Sequence, residues 1–410
     1  METLKTVKET EYLFSLTLVK LISLYQILDP NTVRVCGHNA YHLFVLSSCL
    51  YISAICVICP MGLYYLSNDV TAFSFYFGAI ENFLLVVLKM ITIVYYFEDL
   101  RKCVEVARFG FLSSYQYYKK HMFKRWKKLF MLVSFTYVSM AFSASVVWIL
   151  STRMLNKTKI KIKNVDDSYS EYRINMYNLY LIVTDHTYNE HYNVFYAIEI
   201  VVLVSFIYFQ VLFDLLLIII CFGLSCQLET ICDAVETLGY SQYPFESNSD
   251  MGNNAMNLKN NRLHDDLKNI INDHQSVIKI INDFYNIFRV IILPQIFVNS
   301  STHVLIWFIA SMNFSSGSGI SILFIKMITI LPVFTFQLLM TCYLFGTINE
   351  KKESIIFALY SSDWVKMDAE CKRLILFAMR INKTNQFKIK FTQTKIINME
   401  LFTSVRTSVN

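Results

Sequence analysis

Long apolar stretches, not alternating ones, organise this chain. Ala40–Leu66, Val70–Phe97, Leu129–Leu150, Val194–Leu224, Phe284–Met312 and Ile320–Gly346 are predominantly apolar, with few charges. A helix of about 20 such residues spans the roughly 30 Å hydrocarbon core of a bilayer. Six membrane helices are therefore predicted. Alternating segments of about ten residues do not recur, which excludes a membrane β-barrel. The tail Phe391–Asn410 is weaker: Ile, Met, Leu, Phe and Val are interleaved with Thr, Ser, Asn, Gln, Glu400 and Arg406. Such a seventh helix cannot face lipid on every side; it must pack in protein or line water. A cytoplasmic or interfacial tail helix is the alternative. Leu13–Leu28 carries Lys20, lacks a small-residue cleavage site and ends at Asp29-Pro30. It reads as a short amphipathic or re-entrant helix, not a signal peptide.

Loop charge sets the orientation. Asp99–Lys128 holds nine basic residues, Arg101, Lys102, Arg108, Lys119, Lys120, Lys124, Arg125, Lys127 and Lys128, against Asp99 and Glu105. Basic loops stay in the cytoplasm, so the N-terminus is expected there too. The sequons Asn156-Lys157-Thr158 and Asn313-Phe314-Ser315 then fall outside, where glycosylation occurs. Lys157, Lys159, Lys161 and Lys163 oppose this assignment, but nearby acids offset them and long loops count less. The ten cysteines lie in spans or on the cytoplasmic side, so no structural disulfide is expected.

Composition narrows the class. Apolar residues make up 55% and charged residues 17%, against about 45–50% and 25% in soluble domains. The net charge of +6 comes largely from the basic loop, which topology and anionic lipid explain without nucleic acid. Catalytic patterns are missing around His38, His42, His121 and His303, and His264-Asp265-Asp266 reads as a solvated face. No catalytic residue, metal ligand or cofactor is assigned. Six charges fall inside spans: Glu81, Lys89, Glu199, Asp214, Arg289 and Lys326. Each should face the bundle interior. Glu81 and Lys326 lie at comparable depth and are the candidate pair. Lys89, Asp214 and Arg289 are expected near the cytoplasmic end, where long side chains reach headgroups.

The C-terminal third carries the most specific pattern. Gln337, Cys342-Tyr343, Gly346, Ser354, Ala358, Tyr360, Trp364, Arg380 and the tail Asn398-Met399-Glu400-Leu401-Phe402-Thr403-Ser404-Val405 resemble the signature of insect odorant receptors. The resemblance implies an all-α membrane protein of seven transmembrane helices with a cytoplasmic N-terminus, inverted relative to G-protein-coupled receptors. It implies a subunit of a heterotetrameric, ligand-gated, non-selective cation channel formed with a shared co-receptor, in the plasma membrane of olfactory sensory neurons. The cytoplasmic insert near Ser225–Gln275 is modest, which resembles the odorant-tuned subunit. Residues 1–30 would be the N-terminal helix, 40–346 the six-helix region, and 350–410 an anchor helix plus a pore helix. Tyr360 and Trp364 would pack in the subunit anchor, and Thr403, Thr407 and Asn410 would line the pore. Family members continue for a few turns beyond Asn410, where the apolar gate lies, so no gate residues are named.

By resemblance, the odorant sits in the outer half of the bundle between spans two, three, four and six. There the chain carries Phe73, Phe77 and Ile80; Ala141, Ala144 and Trp148; Tyr196 and Ile200; Leu323, Phe324 and Met327. Spacings of three and four put each set on one helix face, which ordinary packing would also require. An aromatic and Met-lined site suits a volatile apolar molecule such as a terpenoid, ester or alcohol. A gustatory-type receptor channel is the alternative, although its Thr-Tyr…Gln-Phe ending is missing. A transporter or membrane enzyme is less favoured, because no repeat appears and Gly and Pro number only 10 and 5.

Overall fold

The computed structural model describes residues 12–29, 33–35, 37–66, 70–112, 116–155, 157–163, 168–179, 183–240, 253–315, 322–384 and 397–409. The apolar runs become six long helices: α3 (Ala40–Tyr65), α4 (Val70–Tyr95), α6 (Gln116–Met154), α8 (Tyr192–Glu236), α9 (Asn253–Ser315) and α10 (Ile322–Ser361). Before them come α1 (Leu16–Leu21), α2 (Leu24–Leu28) and a two-stranded pair, β1 (Arg34–Val35) and β2 (His38–Asn39). The expected single N-terminal helix is broken at Ser23, whose φ of 60° leaves the helical region. α5 (Phe97–Glu105) lies beside α2, and α7 (Asp185–Glu190) precedes α8. The chain closes with α11 (Ala369–Thr384) and α12 (Met399–Val409). Residues 391–396, the start of the expected seventh span, lie outside the described residues.

The helices run well past a bilayer. At 1.5 Å per residue, the 45 residues of α8 extend about 68 Å, over twice the hydrocarbon thickness. The bundle therefore has two ends: one bears α2, α5 and α11, and the other bears the loop between α6 and α7. α8 is the central helix. It is apolar on all sides, and its buried residues run almost unbroken from Leu212 to Leu228. α4, α6, α9 and α10 pack around it. The bundle's outward faces keep Val57 of α3, Leu84 of α4, Phe135 and Phe142 of α6, Val204 of α8, and Phe297 and Trp307 of α9 exposed. In water so much apolar surface would be a liability; against lipid it is the required surface.

One close approach fixes where α5 docks. A Cβ at Gly223 would lie 2.8 Å from Val106 Cγ1 and 3.0 Å from Ala107 Cα. One turn on, Gln227 Nε2 donates to the carbonyls of Val106 and Arg108 at 2.9 and 3.1 Å. Gly223→Ala is expected to cost about 1–3 kcal/mol, because backbone cannot yield as a side-chain tip can. Its thermal midpoint in detergent should fall by several degrees; an unchanged midpoint would disprove this contact.

The loop between α6 and α7 holds an antiparallel hairpin, β3 (Lys159–Lys163) and β4 (Tyr169–Arg173), paired from Lys159↔Arg173 to Lys163↔Tyr169. Lys159 and Lys161 reach Glu171 at 3.2 and 3.5 Å and hold its carboxyl below the usual carboxylate range. These lysines, which opposed the charge-based orientation, therefore alternate along a strand with a local acid as partner.

Candidate functional site

At the hairpin end the bundle encloses a narrow, largely apolar cavity of about 40 Å³. α4 lines it with Phe75, Gly78, Ala79 and Phe83, and α6 with Trp148. Phe206 comes from α8, Leu305 from α9, and Met327, Ile330 and Phe334 from α10. Ser74, Asn82 and Thr302 add polar atoms to the wall. The space holds water-sized molecules. A larger guest must push side chains aside, and Met327 and the aromatic rings are the movable walls.

A folded-in segment forms a lid over part of this cavity. After β4 the chain turns inward through residues 174–179, and Tyr177 joins the cavity wall. The Tyr177 ring lies 5.2 Å from that of Phe83 and 5.7 Å from that of Trp148, centroid to centroid. Two buried charged side chains hold the lid. Glu199, on α8, accepts the backbone N–H groups of Tyr177 (2.8 Å), Asn178 (3.3 Å) and Leu179 (2.8 Å). Successive N–H groups converge on one carboxylate because Asn178 turns left-handed, with φ 52°. Lys326, on α10, donates to the carbonyls of Asn175 (2.8 Å) and Met176 (3.3 Å). Tyr76 and Tyr192 add hydroxyl bonds to Leu179 and Ile174.

The charges inside the spans pair differently from the sequence expectation. Glu81 and Lys326 do not meet: Glu81 accepts from Ser301 at 2.6 Å, and Lys326 holds the lid. Lys89 and Asp214 do not reach out to headgroups. They form an ion pair at 2.8 Å, with side chains 0% and 5% exposed. Tyr137 donates to the other Asp214 oxygen at 2.5 Å, and Gln337 Nε2 donates to the same oxygen at 2.7 Å. One carboxylate thereby ties α4, α6, α8 and α10 together. His303 is likewise a packing residue, bonded to the Asn299 carbonyl and to Thr335 of α10.

The candidate ligand residues are distributed unevenly. Trp148 and Met327 line the cavity. Phe73 and Phe77 stack on each other, centroids 6.4 Å apart, on the exposed side of α4. Ile80 and Ile200 are half-buried and pack against the core, and Ala141 and Ala144 are buried; none of the four lines the cavity. Tyr196 donates its hydroxyl to the Ile149 carbonyl. The side chains of Leu323 and Phe324 lie outside the described residues. The α4 wall therefore runs through 75, 78, 79, 82 and 83, a face rotated from 73, 77 and 80. Sequence reading also missed α9 and Tyr177, which enter the wall only through the bundle's packing.

At the opposite end Tyr360 is exposed on α10 and Trp364 is half-buried against the core. A groove of about 500 Å³ runs there between α8, α9, α10 and α11. α12 packs on α10: a Cβ at Gly346 would lie 3.6 Å from Asn398 Cα. Thr403 is solvent-exposed on α12; the Thr407 side chain and all of Asn410 lie outside the described residues. So do Asn156 and the side chain of Asn313, which sits in the last turn of α9.

Comparison with known proteins agrees with this architecture. The sequence model of the 7tm odorant receptor family matches residues 69–409. The fold is similar to the insect olfactory receptor OR5 from Machilis hrabei, with a TM-score of 0.73 at 14% identity, covering 96% of this chain and 95% of that one. OR5 in complex with eugenol is similar at a TM-score of 0.72, with the same identity and coverage. No curated protein sequence matches the chain. The chain belongs to the 7tm odorant receptor family, and is thus a multi-pass membrane receptor rather than an enzyme.

Proposed function

We propose that this odorant receptor is the odorant-tuned subunit of a ligand-gated, non-selective cation channel, assembled with a co-receptor in the plasma membrane of olfactory sensory neurons. The observation that carries the reading is the lidded cavity walled by Trp148, Tyr177, Phe83, Phe206 and Met327. Its wall is apolar with a few polar atoms, the composition expected of a small-ligand site. A volatile apolar molecule fits that chemistry, and OR5 takes eugenol within the same fold. The α5 end, with Arg101, Lys102 and Arg108, lies in the cytoplasm, and the hairpin end with its lid faces outside.

Gating follows from helix connectivity. Opening requires a ligand that binds the open state more tightly than the closed one. α10 contributes Met327, Ile330 and Phe334 to the cavity and packs on α12 about three to four turns further along. A guest that spreads the cavity wall displaces α10, and α12 with it. α12 lines the pore as the seventh helix, with Thr403 toward water. Exposed Phe357, Tyr360, Phe377 and Leu376 at the cytoplasmic end form the contact with neighbouring subunits of a tetramer.

The test is current recording from oocytes expressing this chain with and without an insect odorant co-receptor. Volatile terpenoids, esters and alcohols should evoke inward current only when both chains are present. Trp148→Ala should raise the half-maximal odorant concentration by about tenfold or more, as loss of a central aromatic contact does. Silence to every volatile, with both chains confirmed at the surface, would defeat the proposal.

A further inference from the structure

The polar atoms of the cavity specify more than apolarity. Among the described residues, several buried polar side-chain atoms lack a hydrogen-bond partner, including atoms of Gln210, Gln295, Asn299, Asn82 and Trp148. Of these residues, Asn82 and Trp148 line the cavity. The orphaned atoms are Asn82 Oδ1 and Trp148 Nε1. Both residues are over nine-tenths buried, so bulk water does not satisfy them.

The orientation of the Asn82 amide follows from its neighbours. Nδ2 donates to the Gly78 carbonyl at 2.8 Å and to Thr302 Oγ1 at 3.0 Å. A flipped amide would set two carbonyl oxygens against each other, so the nitrogen stays on Gly78 and the oxygen is left over. Two residues of the wall thus carry one unused acceptor, Asn82 Oδ1, and one unused donor, the Trp148 indole N–H, which a guest reaches when it spreads the side chains around it.

We infer that the cavity selects neutral hydroxyl compounds, alcohols or phenols, whose O–H donates to Asn82 Oδ1 and whose oxygen accepts from Trp148 Nε1. A hydroxyl is the smallest neutral group that donates and accepts at once. Ethers, esters and ketones only accept, and leave Asn82 Oδ1 unpaired. Hydrocarbons leave both atoms unpaired. Amines and carboxylic acids are charged at neutral pH, and no charged side chain lines the cavity to offset their desolvation. Selectivity arises because an unmade buried hydrogen bond costs more than a made one gains. The inference rests on the cavity being the odorant site of a gated channel.

The experiment keeps those two levels apart. Current would be recorded from the chain with its co-receptor for matched trios on linear, monoterpenoid and aromatic skeletons. Each trio is an alcohol or phenol, its methyl ether and the parent hydrocarbon; 4-propylphenol, 4-propylanisole and propylbenzene make one. On every activating skeleton, the hydroxyl member should be at least about tenfold more potent than the ether and the hydrocarbon. Trp148→Phe and Asn82→Leu should each shrink that ratio toward one, whatever either change does to the hydrocarbon's own potency. Because the trio comparison uses the unaltered chain, it decides even if a variant fails to reach the surface. Ethers or hydrocarbons as potent as their alcohols would overturn the inference while leaving an odorant-gated channel intact. No current from any volatile, with surface delivery confirmed, would overturn both.

Discussion

Lys89→Met, with Asp214 left in place, is expected to remove most of this receptor from the cell surface. The substitution leaves the Asp214 carboxylate buried with Tyr137 and Gln337 as its remaining side-chain donors. Breaking a buried pair from one side costs about 3–5 kcal/mol, a large share of the roughly 5–15 kcal/mol that holds a folded domain together. Asp214→Leu should be comparably damaging, because it leaves the Lys89 ammonium buried over the Phe213 ring, 5.0 Å from its centroid. The double variant Lys89→Met with Asp214→Leu should recover much of the loss, since two apolar side chains replace two desolvated charges. Surface labelling and thermal midpoints in detergent give the readouts. Single variants as stable as the parent, or a double variant worse than both singles, would refute the pairing.

The second large effect lies at the lid. Glu199→Leu leaves the N–H groups of Tyr177, Asn178 and Leu179 without their acceptor, at about 1–3 kcal/mol for each buried donor left unmade. The segment should then loosen and carry Tyr177 off Phe83 and Trp148. Hydrogen exchange reads this directly: the three amides should be protected in the parent and exchange quickly in the variant. Odorant potency should fall by about tenfold or more, because the cavity loses one wall. Glu199→Gln keeps one carbonyl oxygen and should fall between. Amides 177–179 that stay protected in Glu199→Leu would show that Lys326 and the tyrosine hydroxyls suffice.

The six spans were legible because bilayer thickness is a one-dimensional constraint that twenty-odd apolar residues satisfy or fail. α3 begins at the expected Ala40, and α4 at the expected Val70. The hairpin between α6 and α7 left a signal that charge counting obscured: Lys159-Ile160-Lys161-Ile162-Lys163 alternates at the period of a strand. The cavity wall on α4 left none. α4 is apolar on more than one face, so a spacing of three or four picks out a stripe without saying which neighbour it meets. Phe73 and Phe77 turned outward, while Phe75, Gly78 and Asn82 turned in.

The chain's own pattern determined the membrane class, the number of strong spans, the bias of charge between their ends and, through the signature after Phe334, the receptor family. These are properties of local composition and order, which sequence carries whole. Tertiary structure alone decided the partners. Lys89 found Asp214 125 positions away, and Lys326 found lid carbonyls about 150 positions away. Tyr177 reached Phe83 and Trp148 from a loop whose sequence carries no mark of a site. The reason is physical. In a low-dielectric bundle each buried charge or orphaned amide must be met by whatever packing brings within about 3 Å. The rotation and depth of six helices set that distance, and no single helix encodes it.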